Sequence, residues 1–228
     1  MPPMEFWQGF EHGAATAPGE AAALATMPDG SALRLPLRDY GSIAVTGLIA
    51  NQASFTVTRR LAFWMADAAA PFMPEIVVGL PTLGQVFAPL VAEALGHPQW
   101  VAAGYSEKLW YEARLSVPLA SSTAPTSRRL WLDPRVVHRL AGRRVLLVDD
   151  VISTGTSARA GVALLAAAGV APVACCVAMA QGNRWRAEWP ITPPLVAAFA
   201  TPLFGRTAQG WAALPGTCAD DLALGRSA

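Results

Sequence analysis

The stretch VLLVDDVISTGTS, residues 145–157, constrains this chain more than any other. Four apolar residues run straight into two adjacent carboxylates, Asp149 and Asp150, and then into a turn of small and hydroxyl-bearing residues. A short apolar run bounded by a turn reads as a strand buried on both faces, the environment of a parallel sheet. Open parallel sheets bind ligands beyond the carboxyl ends of their strands, and the two acids stand at such an end. The spacing predicts a strand over 143–150, and a solvated strand end would permit both acids to be ionised.

The turn Ser153-Thr154-Gly155-Thr156-Ser157 opens the next helix. Its backbone N–H groups, its hydroxyls and the partial positive charge of a helix N-terminus together suit an anion. The GxxxxGK[ST] spacing of a lysine-bearing phosphate loop is absent. A carboxylate pair repels phosphate but accepts hydrogen bonds from vicinal hydroxyls. Acids beside a phosphate cradle therefore fit a ribose 5-phosphate.

The rest of the chain repeats the strand-then-helix alternation of a parallel α/β sheet. EIVVGL (75–80) reads as a buried strand, followed by the turn PTLG and a helix ending on Gly96. QWVAAGY (99–105), PVACCVAMA and PLVAAFATP read as further strands. Residues 54–70 have apolar residues at helical spacing, with Ser54 as N-cap. Residues 13–27 read as a loose lead-in or weak helix, and 28–38 as a hairpin arm. The segment 106–142 breaks the alternation and carries one strand-like piece, RRLWL; long excursions of this kind are often lids.

Bulk properties exclude several classes. At 228 residues the chain has room for one sizeable domain. A net charge of +1 gives no electrostatic footprint for nucleic acid or a membrane surface. Residues 160–183 are uncharged, but Gly169 and Pro172 break the run, so a helix followed by a strand explains it better than a membrane span. Cys175, Cys176 and Cys218 lack disulfide or zinc spacing and read as free thiols of a reducing cytoplasm. The N-terminus lacks the basic and apolar regions of a signal peptide. His12, His97 and His138 share no ligand spacing.

The run 145–157 resembles the phosphoribosyl-pyrophosphate signature of the type I phosphoribosyltransferases: an apolar strand, two acids, then a Thr-Gly phosphate loop. The resemblance covers roughly residues 75–180. It implies an open, mainly parallel α/β sheet flanked by helices, with a flexible lid at about 106–142 and a small hood. The implied layout is an N-terminal extension and arm (1–40), a core (41–205) and a C-terminal tail (206–228). Asp149 and Asp150 would hold the ribose 2- and 3-hydroxyls, and Ser153, Thr154, Gly155, Thr156 and Ser157 the 5-phosphate. The loop Gly79-Leu80-Pro81-Thr82-Leu83-Gly84 matches the place where the family binds pyrophosphate through backbone amides. It lacks the basic residue that some members carry there. Lys108, the only Lys among 17 basic residues, falls where the family reaches the pyrophosphate with a cation and would be catalytic beside the two acids.

The same resemblance implies Mg2+, held indirectly by Asp149 and Asp150 through ribose hydroxyls or water. Ser153 stands where the hypoxanthine-guanine branch has an Asp, so the choice of base leans towards a purine of adenine or xanthine type. Trp110, Tyr111 and Trp185 are candidate base contacts, with Trp189 beside them, since aromatic faces stack on bases. Implied partners are phosphoribosyl pyrophosphate, a nucleobase and a second copy in a homodimer; nucleic acid and membrane are not implied. An alternative from another class stays open, a non-catalytic regulator that senses phosphoribosyl pyrophosphate.

Overall fold

The computed structural model describes residues 6–16, 20–119, 128–189 and 192–225. The chain starts with three antiparallel strands, β1 (Ala22–Thr26), β2 (Ala32–Asp39) and β3 (Ile43–Thr46). Residues 22–26 are thus a strand, not the loose lead-in or weak helix expected over 13–27. Ala favours helix only weakly against tertiary pairing, and β1 has a well-made partner: Leu33 and Leu35 of β2 are fully buried on one face. The turn between them is closed by Asp29, whose Oδ1 accepts from the Ser31 N–H and hydroxyl.

Helix α1 (Phe55–Ala69) begins where the sequence places it. Ser54 Oγ accepts from the Val57 N–H at 3.2 Å, a cap of about 1 kcal/mol. Strand β4 (Ile76–Gly79), helix α2 (Gly84–Ala94) and strand β5 (Trp100–Gly104) follow. The segment expected to be a lid contains β6 (Ser116–Leu119) and β7 (Arg128–Leu132), paired antiparallel. They extend the main sheet past β5, so nine residues of 106–142 belong to the sheet edge; residues 120–127 lie outside the described residues. Then come β8 (Val145–Ile152), α3 (Thr156–Ala167), β9 (Pro172–Gln181) and β10 (Leu195–Thr201). The hairpin β11 (Phe204–Thr207) and β12 (Gly210–Ala213) and the short β13 (Ala223–Leu224) complete the chain.

Two sheets result. The larger has the order β13-β10-β9-β8-β4-β5-β7-β6, parallel from β13 through β5. The smaller has the order β1-β2-β3-β11-β12. It draws on both chain ends, so the expected divisions after residues 40 and 205 run through one sheet.

Strand side chains alternate between two cores. Leu146, Val148, Ala174 and Cys176 pack with α1 and α2, while Val145, Leu147, Cys175 and Val177 pack with α3. Adjacent Cys175 and Cys176 therefore belong to opposite cores, and both thiols are free. Among the described residues no helix is long and apolar enough to cross a membrane.

Candidate active site

Strand β8 does not stop at Asp150. It continues to Ile152, with Asp149, Val151 and Ile152 registered against Val177, Met179 and Ala180 of β9. Sheet pairing thus holds the backbone on both sides of the acid pair. Asp149 is only 4% exposed, and its Oδ1 accepts from the Asp150 N–H at 2.9 Å. Burial pushes the Asp149 carboxyl well above the usual aspartate range, and the charge of Asp150 pushes it further. Burial raises Asp150 too, but hydrogen bonds to its charged form oppose the rise. Burial thus opposes ionisation of both acids, most strongly that of Asp149.

The expectation of a solvated strand end fails for Asp149, and α2 is the reason. Gly84, the first residue of α2, packs so closely that a Cβ there would lie 2.8 Å from both Asp149 Cα and Asp149 Oδ1. Sequence reasoning placed Gly84 in a pyrophosphate loop. It had no local signal that this glycine also seals an acid on another strand.

The turn after β8 is rich in side-chain contacts. Gly155 takes φ +82° and stands before α3, so the Thr156 and Ser157 N–H groups open the helix. Thr154 Oγ1 and Thr156 Oγ1 are 3.1 Å apart. Ser153 Oγ accepts from Arg184 Nη2 at 2.8 Å. The turn after β4 is held by backbone instead: Leu80 N–H donates to Val148 C=O at 2.9 Å, and the Tyr105 hydroxyl donates to Pro81 C=O at 2.9 Å. Thr82 is exposed in this turn, and the Pro81–Thr82 peptide is cis.

A cavity of about 340 Å³ joins these parts. Its floor includes Asp149, Asp150, Ser153 and Ser157, and Pro81 and Leu83 enter from the β4 turn. The opposite wall belongs to the smaller sheet and its exit, including Arg38, Tyr40 and Thr46. Gln181, at the end of β9, ties wall to floor: its Nε2 donates to Thr46 C=O at 2.5 Å, and Thr46 Oγ1 lies 2.9 Å from Thr201 Oγ1. Arg38, Tyr40 and Gln181 escaped sequence reasoning. The resemblance began near residue 75, and nothing local says that an N-terminal arm folds over the end of β8.

The other candidates lie as follows. Lys108 is exposed in the turn after β5; Tyr111 N–H donates to its carbonyl, and among the described residues its ammonium has no hydrogen bond or ion pair. Trp110 donates to Asp133 Oδ2 at 3.2 Å and is covered by the Arg135 guanidinium at 4.1 Å. Arg135 in turn lowers the Asp133 carboxyl to about 2. Tyr111 packs on Trp131 with ring centroids 6.0 Å apart. Trp185 is 4% exposed and donates to Gly182 C=O at 3.1 Å. None of the three lines the cavity over the acids; Trp185 and Trp189 instead back Gly155, at 3.5 and 3.8 Å from where its Cβ would be.

An acid pair and a hydroxyl-lined helix start stand at the carboxyl edge of a parallel sheet under a second sheet, the edge at which open α/β proteins bind ligands. The family model for the phosphoribosyl transferase domain matches residues 45–190. The chain belongs to that family, and it is an enzyme of pentosyltransferase class. Among solved structures, it resembles the adenine phosphoribosyltransferase of Giardia lamblia complexed with 9-deazaadenine, with a TM-score of 0.56 and 19% identity over 78% of this chain and 93% of that one. The adenine phosphoribosyltransferase of Rhodothermus marinus gives a TM-score of 0.54 at 21% identity, over 79% and 94% of the two chains. That of Saccharomyces cerevisiae, complexed with an imino-altritol bisphosphate and adenine, gives 0.54 at 21%, over 72% and 94%. At such identities the likeness is one of fold. No curated protein sequence matches the chain significantly.

Proposed function

We propose that this chain moves a 5-phosphoribosyl group from phosphoribosyl pyrophosphate to a ring nitrogen of a purine of adenine or xanthine type. The observation that carries the reading is the one cavity shared by the acid pair, the start of the 153–157 turn, the β4 turn and the wall of the smaller sheet. In this reading Asp150, assisted by Asp149, accepts from the ribose hydroxyls. Residues 153–157 take the 5-phosphate, and the amides of 79–84 take the pyrophosphate together with Lys108. The bond from carbon 1 to the pyrophosphate oxygen breaks and its electron pair leaves with pyrophosphate. The base nitrogen forms the new bond to carbon 1 and gives up its proton to solvent. Positive charge grows on the sugar as the first bond stretches, so fixed charges and orientation carry most of the rate.

Among the described residues no group of three or more His, Cys, Asp or Glu is placed to hold a metal ion. Two adjacent carboxylates nevertheless suit a Mg2+ bound chiefly by substrate oxygens and water. Asp150, with the buried Asp149 behind it, would hold it indirectly, through ribose hydroxyls or water, and it would supply charge neutralisation on the departing pyrophosphate. The base rests against Arg38 and Tyr40 of the opposite wall and Gln181 at the end of β9, which line the same cavity as the acids. Ser153 in place of an acid, and fold relatives that are adenine phosphoribosyltransferases, support the purine. A homodimer belongs to the same proposal and is checked by sedimentation.

The test is pyrophosphate release from phosphoribosyl pyrophosphate and Mg2+ against a panel of purines, pyrimidines and orotate. The expected result is turnover with adenine or xanthine, lost in Asp150→Asn and weakened in Lys108→Ala. Binding of the sugar pyrophosphate with no turnover on any base would instead establish a sensor of that metabolite.

A further inference from the structure

Three arginines lie on the two segments that meet at the 153–157 turn, Arg159 in the first turn of α3 and Arg184 and Arg186 on the 184–187 turn, and two of them are paired. Arg159 is bonded to Glu188, and Arg186 to Asp221. Arg184 makes no ion pair among the described residues; its guanidinium Nη2 donates to Ser153 Oγ at 2.8 Å. It is exposed, and it begins a short 3-10 turn (Arg184–Ala187) pressed against the phosphate-type turn. Trp185 and Trp189 of that segment back Gly155, and the Glu188–Arg159 pair fastens it to the first turn of α3. The backbone carrying Arg184 is thereby fixed relative to Ser153.

We propose that Arg184 is a specificity residue for the phosphate of the substrate, resting on the reading of 153–157 as the 5-phosphate seat. The turn itself holds no cation. A phosphate monoester carries roughly −1.5 to −2 charges near neutral pH, while a helix N-terminus offers roughly half a positive charge. A guanidinium already at the rim, with no carboxylate to give up, supplies the missing charge. Without ligand it is parked on a neutral hydroxyl; with ligand it presents two parallel N–H groups to phosphate oxygens while Ser153 turns its own hydroxyl inward. The signal lies 31 residues along the chain from Ser153, on a different turn, which is why the local signature did not include it.

The experiment compares the wild-type chain with Arg184→Gln and Arg184→Lys, titrating ribose 5-phosphate and, separately, inorganic pyrophosphate by calorimetry. Arg184→Gln is expected to weaken ribose 5-phosphate by about tenfold to a hundredfold, the range of a charge-assisted hydrogen bond, and to leave pyrophosphate within about twofold. Arg184→Lys should restore part of the loss, because it keeps the charge without the fork. The rise in affinity as the phosphate loses its second proton, near pH 6, should flatten in Arg184→Gln. Equal weakening of both ligands, or a pH profile parallel to wild type, would reduce Arg184 to a brace for Ser153 and overturn the proposal. Wild-type protein that binds pyrophosphate but not ribose 5-phosphate would instead overturn the reading of the turn itself, and this role with it.

Discussion

The turns after β4 and β8 leave neighbouring parallel strands at the same edge of the sheet, and both open onto a helix. They are built by opposite means. The β8 turn is a cluster of side chains: Ser153, Thr154 and Thr156 bond one another or Arg184, and a second turn braces Gly155. The β4 turn has no charged side chain, and its position comes from backbone bonds to β8 and Tyr105 and from the close approach of Gly84 to Asp149. One turn carries its chemistry within itself, whereas the other is a backbone surface whose chemistry depends on its neighbours. The acid pair stands between them, so changes to the pair should damage both halves of the substrate, and changes to one turn only one half.

The largest effect is expected at that shared point. Asp150→Asn keeps shape but removes the charge that accepts hydroxyl hydrogen bonds, at about 1.5–3 kcal/mol for each bond lost. Turnover should fall by about a hundredfold or more, and affinity for phosphoribosyl pyrophosphate should fall with it. If Asp150→Asn lowers affinity for pyrophosphate alone, the acids belong to the β4 side and the symmetry drawn here breaks.

Gly84→Ala comes next. Its new methyl would meet the backbone of β8 at Asp149 rather than a flexible side-chain end, so relief requires shifting α2 or the strand. Overpacking of this kind costs about 1–3 kcal/mol, read as a lower thermal midpoint together with weakened pyrophosphate binding. A variant as stable and active as the parent would show that the approach of α2 to Asp149 is not what sets the β4 turn.

These two turns also explain what was legible in the sequence. The β8 turn could be read because its determinants are side chains within thirteen contiguous residues, 145–157. The parallel core was equally plain, since runs such as EIVV and VLLV have the apolar continuity of strands covered on both faces. The burial of Asp149 was not legible, because it is caused by a glycine 65 residues earlier. Nor was the cavity wall: β1 was hidden by an Ala-rich sequence, and its sheet is completed by β11 and β12 from the far end of the chain. The aromatic candidates failed to line the cavity for a related reason. Composition shows that Trp110 and Trp185 exist, but their partners Asp133 and Gly182 are set by tertiary structure.

Asp149→Asn separates stability from function. The folded-state pKa of Asp149 is raised above the unfolded value, so the folded chain retains a proton that the unfolded chain has released. Its contribution to stability is therefore lost as pH rises from the ordinary aspartate range through the raised value. Asn has no proton to lose. The variant should gain on the parent as pH rises from about 5 to about 8, with thermal midpoints diverging by roughly 2–4 °C for each kcal/mol regained, while turnover drops. Midpoints that stay parallel across that range would mean that Asp149 is ionised at no cost.

The smallest effect is expected at Tyr105, and it discriminates best between the two turns. Tyr105 is half-buried, its hydroxyl meets only the β4 turn at Pro81 C=O, and burial together with the nearby acids raises the pKa of its hydroxyl, so it remains a neutral donor across the working range. Tyr105→Phe removes one neutral hydrogen bond of about 0.5–1.5 kcal/mol and leaves the ring packing in place. Pyrophosphate affinity should fall by about twofold to tenfold, while ribose 5-phosphate affinity stays unchanged, the mirror image of Arg184→Gln. Such a reciprocal pair of losses requires two half-sites held by independent contacts. If Tyr105→Phe weakens both ligands equally, the turns move together through β8, and a backbone-held surface and a side-chain-held cradle are one mechanical unit.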